Sequence, residues 1–86
     1  MSGFVDHHPL ARDLPEYKQD IHDLKTNDNH FSRLLERYEA LDKEIVRAEQ
    51  GLEHRPDLEL DGLKMQRVEL KDELAGLLRA HKMAED

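Results

Sequence analysis

The chain lacks cysteine, long hydrophobic runs and any excess of positive charge. Without cysteine it has no disulfide framework, thiolate nucleophile or cysteine-ligated zinc site, which is typical of a reducing compartment. No stretch approaches the roughly 18 apolar residues of a membrane span. Residues 1–17 lack the basic end and apolar run of a signal peptide. These absences predict a cytoplasmic protein.

The charge balance is acidic, with 13 Lys and Arg against 20 Asp and Glu and a net charge of −7. This excess repels phosphate backbones and anionic lipid, and it offers no basic surface to either. The charge balance therefore argues against nucleic-acid and membrane partners.

The length and composition favour one small helical domain. The 86 residues are 38% charged and 37% hydrophobic, which suits helices with one apolar stripe better than a core with a buried cleft. The sequence has no glycine-rich phosphate loop and no serine nucleophile elbow. We therefore predict no enzyme activity, no cofactor and no small-molecule substrate.

The sequence does contain a heptad pattern of apolar residues. One position in seven is apolar at Tyr17, Leu24, Phe31, Tyr38, Ile45 and Leu52. A second line joins the same helical seam at Leu34, Leu41 and Ala48. After a turn, the pattern continues at Leu60, Leu63, Leu70, Leu74 and Leu77. The pattern predicts an all-α, coiled-coil-like antiparallel hairpin of two helices, preceded by a short additional N-terminal helix.

Capping signals set the limits of the predicted helices. Asp13 and Glu16 approximate a capping box that opens the first helix, over residues 14–26. The weak helix formers after it predict a break, with Asp28 as the N-cap of the next helix.

The second and third helices flank one short turn. The second helix is expected over 29–50 and ends at Gly51, which suits a left-handed residue, and the third is expected over 57–83. Residues 1–12 are predicted to form a flexible arm, and residues 13–86 a single helical domain.

Two registers are open to this hairpin. Centring the turn on His54 sets Tyr38 against Leu70, whereas a rival register sets Tyr38 against Leu77. Two pairs of opposite charge favour the first register, namely Asp42 with Lys64 and Arg37 with Glu73.

Three pieces of sequence carry a family resemblance. They are His30-Phe31 opening a helix, Leu41-Asp42-x-x-Ile45, and Arg67-x-x-Leu70-Lys71-Asp72. Over residues 14–80 the chain resembles the YdcH-like family of small bacterial proteins, a domain of unknown function. The resemblance implies a helical hairpin in the bacterial cytoplasm, and it implies no reaction, cofactor or catalytic residue.

Arg67 occupies a seam position where leucine is expected. We expect its stem to pack against the seam and its guanidinium to reach Asp42 or Glu44 on the facing helix. Such an ion pair penalises slipped registers more than it stabilises the fold. A substrate-anchoring arginine is the alternative interpretation.

Six histidines raise the question of a metal site. No two of them have the i,i+4 spacing that sets two ligands on one helix face. His30 and His81 can approach each other at the open end of the hairpin. The alternative function is therefore a small metal-binding or enzymatic protein that uses these two residues.

The apolar residues exceed what one hairpin can cover. Leu24 lies level with the end of the third helix, Tyr17 and Ile21 extend past the end of the hairpin, and Leu35 lies at the seam margin. The first helix must fold back or meet another chain. We expect an interaction or assembly module without catalytic activity, with these four residues contacting a second copy in a homodimer, or another protein.

Overall fold

A computed structural model describes residues 9–85 of the chain. The helices are α1 (Pro9–Asp13), α2 (Lys18–Asn27), α3 (Asn29–Glu49) and α4 (Asp57–Glu85), with a 3-10 turn over Pro15–Tyr17. This part of the chain contains no strand, so the predicted all-α class is confirmed there. None of the described helices is long and apolar enough to cross a membrane.

The predicted cap at the start of α3 is confirmed. The Asp28 carboxylate accepts hydrogen bonds from the backbone N–H groups of His30 at 2.9 Å and Phe31 at 3.2 Å. Just before it, the side chains of Thr26 and Asn27 donate to α2 carbonyls four residues earlier, each at 3.0 Å. Side chains that bond to the local backbone in this way end one helix and start the next.

The predicted end of α3 at Gly51 is confirmed as well. Gly51 has a φ of +78°, the left-handed region that glycine enters without steric cost. Its N–H donates to the carbonyl of Ala48 at 3.1 Å, and the N–H of Leu52 donates to that of Arg47 at 2.9 Å. This is the Schellman arrangement, which satisfies the last carbonyls of the helix.

Ion pairs along α3 and α4 show that the two helices run antiparallel. Lys64 meets Glu49 at 2.9 Å, and further along α4 Arg67 meets Asp42, earlier in α3, at 2.7 Å. The Arg67–Asp42 contact belongs to the first of the two registers considered. Lys64 was expected to meet Asp42, but it pairs with Glu49, which lies further along α3 towards the turn.

The core lies where α1 and α2 fold onto α3 and α4. Its buried apolar residues are Leu10, Ile21, Phe31, Leu34, Leu35, Tyr38, Leu74 and Leu78. The half-buried residues Ala11, Leu14, Tyr17, Leu24, Leu70 and Leu77 pack around them. The core therefore joins all four helices, and it is larger than the seam of two helices.

The structure differs from the sequence interpretation in the N-terminal segment. Residues 1–8 of the predicted arm lie outside the described residues, but residues 9–13 form α1, and Leu10 is fully buried. Asp13 does not cap a helix. Instead its carboxylate accepts a hydrogen bond from Lys71 at 3.1 Å, and the 3-10 turn that follows has no side-chain cap. A tertiary ion pair has replaced the local cap.

Candidate functional site

One face of the α3–α4 pair is covered by the N-terminal helices. On α4 the contacts come from one stripe at helical spacing, formed by Lys71, Leu74, Leu78, His81 and Lys82. His81 Nδ1 lies 2.8 Å from Asp20 Oδ1, and Lys82 donates to the backbone carbonyl of Glu16 at 3.1 Å. These bonds hold α2 and the turn before it against α4.

The opposite face of the pair is open, and we call it the open face. It carries a groove of about 530 Å³ between α3 and α4, lined by Arg37, Ala40, Leu41, Glu44, Gln66, Glu69, Leu70 and Glu73. Leu41 and Leu70 in the groove are only half-buried, and Ala40 is exposed. Ala40, Leu41 and Leu70 therefore form the apolar floor of the groove.

The rims of the groove carry charges of both signs. Arg37 lies on the α3 rim, and Glu69 and Glu73 lie on the α4 rim. Within the described part of the chain, none of these three side chains makes a hydrogen bond or ion pair. Glu44, nearer the turn, contacts Arg55 at 3.4 Å. The open face thus combines an apolar floor with unpaired charges of both signs.

Arg67 lies at a second, smaller cleft of about 270 Å³ near the N-terminal segment. Arg67 Nη1 donates to Asp42 Oδ1 at 2.7 Å, while Glu44, the other carboxylate considered, turns to Arg55 instead. Burial, followed by the charges of Asp13 and Asp42, raises the pKa of Tyr38 in this cleft. No pattern in the sequence predicted a cleft here, because residues of α1 form part of its wall.

The turn carries a network of charged side chains that the sequence analysis did not predict. Arg55 donates to Glu59 at 2.6 Å and lies 3.6 Å from Glu53, and the bond to Glu59 raises its pKa. The bond from Lys64 lowers the pKa of the Glu49 carboxyl. Such solvent-exposed pairs contribute little to stability, so this network shapes the turn and forms no reactive site.

The two histidines of the alternative metal-site hypothesis, His30 and His81, have separate surroundings. His81 directs Nδ1 to Asp20, and His30 is exposed at the start of α3. Over residues 9–85 no group of three or more His, Asp or Glu side chains is placed to hold a metal ion. The adjacent His7 and His8 lie outside the described residues.

The four residues predicted to contact another chain lie against their own chain. Leu35 is 1% exposed and Ile21 is 6% exposed, and Tyr17 and Leu24 are half-buried around the same core. The extended backbone of Asp28 lets α2 turn back over the apolar surface that the seam leaves uncovered. This corrects the expected interface. The surplus apolar surface exists, but α2 itself covers it.

Several large apolar side chains are exposed elsewhere. They are Val46, Leu52, Leu58, Met65, Val68 and Met83. Apolar residues scattered singly over a surface are ordinary in folded proteins, and these ones line no part of the groove. The open face remains the candidate site.

Comparison with known proteins places the chain among uncharacterised relatives. A family model described as "Protein of unknown function (DUF465)" matches residues 31–78, which covers most of α3, the turn and most of α4. Two proteins named "Uncharacterized protein YdcH", from Escherichia coli (strain K12) and Shigella flexneri, are each 32% identical over 72 residues. Each alignment covers 84% of this chain and 97% of the relative. No solved structure matches the chain significantly.

Proposed function

The chain belongs to the DUF465 family, and we propose that it is a protein–protein interaction or assembly module of the bacterial cytoplasm, without catalytic activity of its own. The antiparallel, coiled-coil-like hairpin of α3 and α4 supplies two faces. The N-terminal helices cover one face, and the open face binds the partner.

The half-buried leucines of the open face carry this proposal. Leu41 and Leu70 are seam residues, yet each remains partly in contact with solvent. Burying apolar surface stabilises a complex by about 25 cal/mol per Å². On the covered side, α1 and α2 gain this stabilisation from their own chain. A helical partner gains it in the same way on the open side.

The rim charges supply orientation for such a partner. Unpaired charges at the edge of an interface steer encounter and select between partners more than they add affinity. Arg37 and Glu73 lie on opposite rims of one groove, so a partner with complementary charges binds in one orientation. A small side chain helps the approach, since Ala40 in the groove is exposed and leaves room for a second backbone.

Site-specific photo-crosslinking in living bacteria tests the proposal. A photoreactive amino acid replaces Ala40 on the open face or, as the matched control, Lys43, which is exposed elsewhere on the same helix. We expect covalent protein adducts from position 40 and few or none from position 43. Equal labelling at both positions, or no adduct at either, would overturn the proposal.

A further inference from the structure

We infer that the partner of the open face is a second copy of this chain, related to the first by a twofold axis that runs along the helices. This inference deepens the proposed function and rests on it. The two copies bring their open faces together, and α3 of one copy lies over α4 of the other.

The geometry of the groove makes the open face complementary to itself. Because α3 and α4 are antiparallel and Arg67 meets Asp42, Arg37 lies at the level of Glu73, and Leu41 at the level of Leu70. A half-turn about an axis parallel to the helices exchanges α3 and α4 without changing these levels. Arg37 then faces the partner's Glu73, and Leu41 faces the partner's Leu70.

The charges of the open face fit this symmetry. An isologous interface presents the same patch on both copies, so each contact occurs twice. A face with two acidic rims would repel its own copy, but here the α3 rim carries Arg37, its Glu44 is paired with Arg55, and the α4 rim carries Glu69 and Glu73. Arg37 of each copy therefore meets the acidic α4 rim of the other, and within the described residues Arg37, Glu69 and Glu73 have no partner of their own to leave.

The size of the open face suits a dimer of modest affinity. The 21 residues of α3 extend for about 31 Å, and two adjacent helices are about 20 Å wide. This gives about 600 Å² from each copy, or about 1,200 Å² in all, at the lower end of the range for specific interfaces. The net charge of −7 opposes association, but salt near 0.15 M screens charges beyond about 8 Å. We expect a dimer that dissociates at micromolar concentrations.

Sedimentation velocity over a dilution series tests this inference. The wild-type mass should rise from 10.1 kDa to twice that value as concentration increases. Ala40→Trp should remain monomeric because the ring blocks close approach, whereas Lys43→Trp should dimerise like wild type. All variants should show wild-type helicity by circular dichroism, because the altered side chains are exposed.

Charge reversal identifies the contact between the rims. Arg37→Glu and Glu73→Arg should each raise the dimer Kd at least about tenfold, since symmetry applies each repulsion twice. The double variant Arg37→Glu/Glu73→Arg should restore the wild-type Kd, because the swapped rims remain complementary. Failure of the double variant to recover affinity would overturn this arrangement.

The outcomes separate this inference from the function on which it rests. A single 10.1 kDa species at every concentration, together with crosslinks from position 40 to a different protein, would overturn self-association and leave the interaction role intact. Absence of crosslinks from position 40 would overturn both. A dimer indifferent to the Ala40 and rim substitutions would place the contact elsewhere on the molecule.

Discussion

Arg67 on α4 donates a hydrogen bond to Asp42 on α3 at 2.7 Å, across 25 positions of the sequence. The side chains are 29% and 19% exposed, so water only partly screens the pair. The aliphatic stem of Arg67 therefore fills a seam position, and its guanidinium fixes the register between α3 and α4.

Replacing Arg67 should separate the packing role of its stem from the role of its charge. The double variant Arg67→Leu/Asp42→Leu should fold about as stably as wild type, because apolar residues often replace a buried ion pair without loss. Arg67→Asp should lose about 2–4 kcal/mol, because it places a second carboxylate beside Asp42. Urea denaturation measures both. The exchange Arg67→Asp/Asp42→Arg should recover part of the loss, and an Arg67→Asp protein as stable as wild type would show that the pair is fully solvated.

Leu10 tests whether the N-terminal segment is part of the core. Its side chain is fully buried, so Leu10→Ala should lower the free energy of unfolding by about 2–5 kcal/mol. The matched control is Leu58→Ala, because Leu58 is 85% exposed and should change stability by no more than about 0.5 kcal/mol. Equal effects of the two substitutions in thermal or urea unfolding would mean that α1 is not docked in solution.

The Asp20–His81 contact should hold α2 to α4. Asp20 is 5% exposed, and its replacement by alanine should cost about 1.5–3 kcal/mol, the range for hydrogen bonds that involve a charged group. In Asp20→Ala, hydrogen exchange should show a larger loss of protection for the amides of α2 than for those of α3. Asp61→Ala is the control, since Asp61 is an exposed aspartate on α4. Unchanged protection of α2 in Asp20→Ala would assign its docking to apolar contacts alone.

Tyr38 should give the protein an alkaline limit of stability. Burial raises its pKa above the ordinary value of 10.0, so the folded state keeps the phenol proton longer than the unfolded state does. The stability that follows is complete below pH 10 and is lost as the pH rises through the folded-state pKa. In a Tyr17→Phe protein, ultraviolet titration reports Tyr38 alone and should place its ionisation above pH 10. Ionisation at or below pH 10 would contradict the burial of this side chain.

Signals that act within a few residues could be interpreted from the sequence. Asp28 caps α3 through amides two and three residues away, and Gly51 ends it through a backbone conformation that glycine favours. The heptad spacing likewise identified the seam, because side chains seven positions apart share a helix face whatever lies opposite them. These features follow from local geometry, so the all-α class and the break before α3 were predictable.

The position of α2 required the tertiary structure. Asp20 meets His81 across 61 positions, and Asp13 meets Lys71 across 58, contacts that no local spacing specifies. The backbone direction at Asp28, between α2 and α3, decides whether α2 extends away from the hairpin or folds back onto it. The spacing of apolar residues is the same in both cases, so it cannot distinguish them.

Local signals in the sequence were sufficient to predict α3, α4 and the apolar residues that follow their heptad spacing, but not α1. The burial of Leu35 and Ile21 in their own chain, and the place of Leu41 and Leu70 in an open groove, became evident from the packing of the helices. A seam residue can face either side of a hairpin, and the side that becomes buried is the one on which a third helix packs. The side on which this helix packs depends on contacts between residues far apart in the sequence, and these contacts exist only in the folded chain.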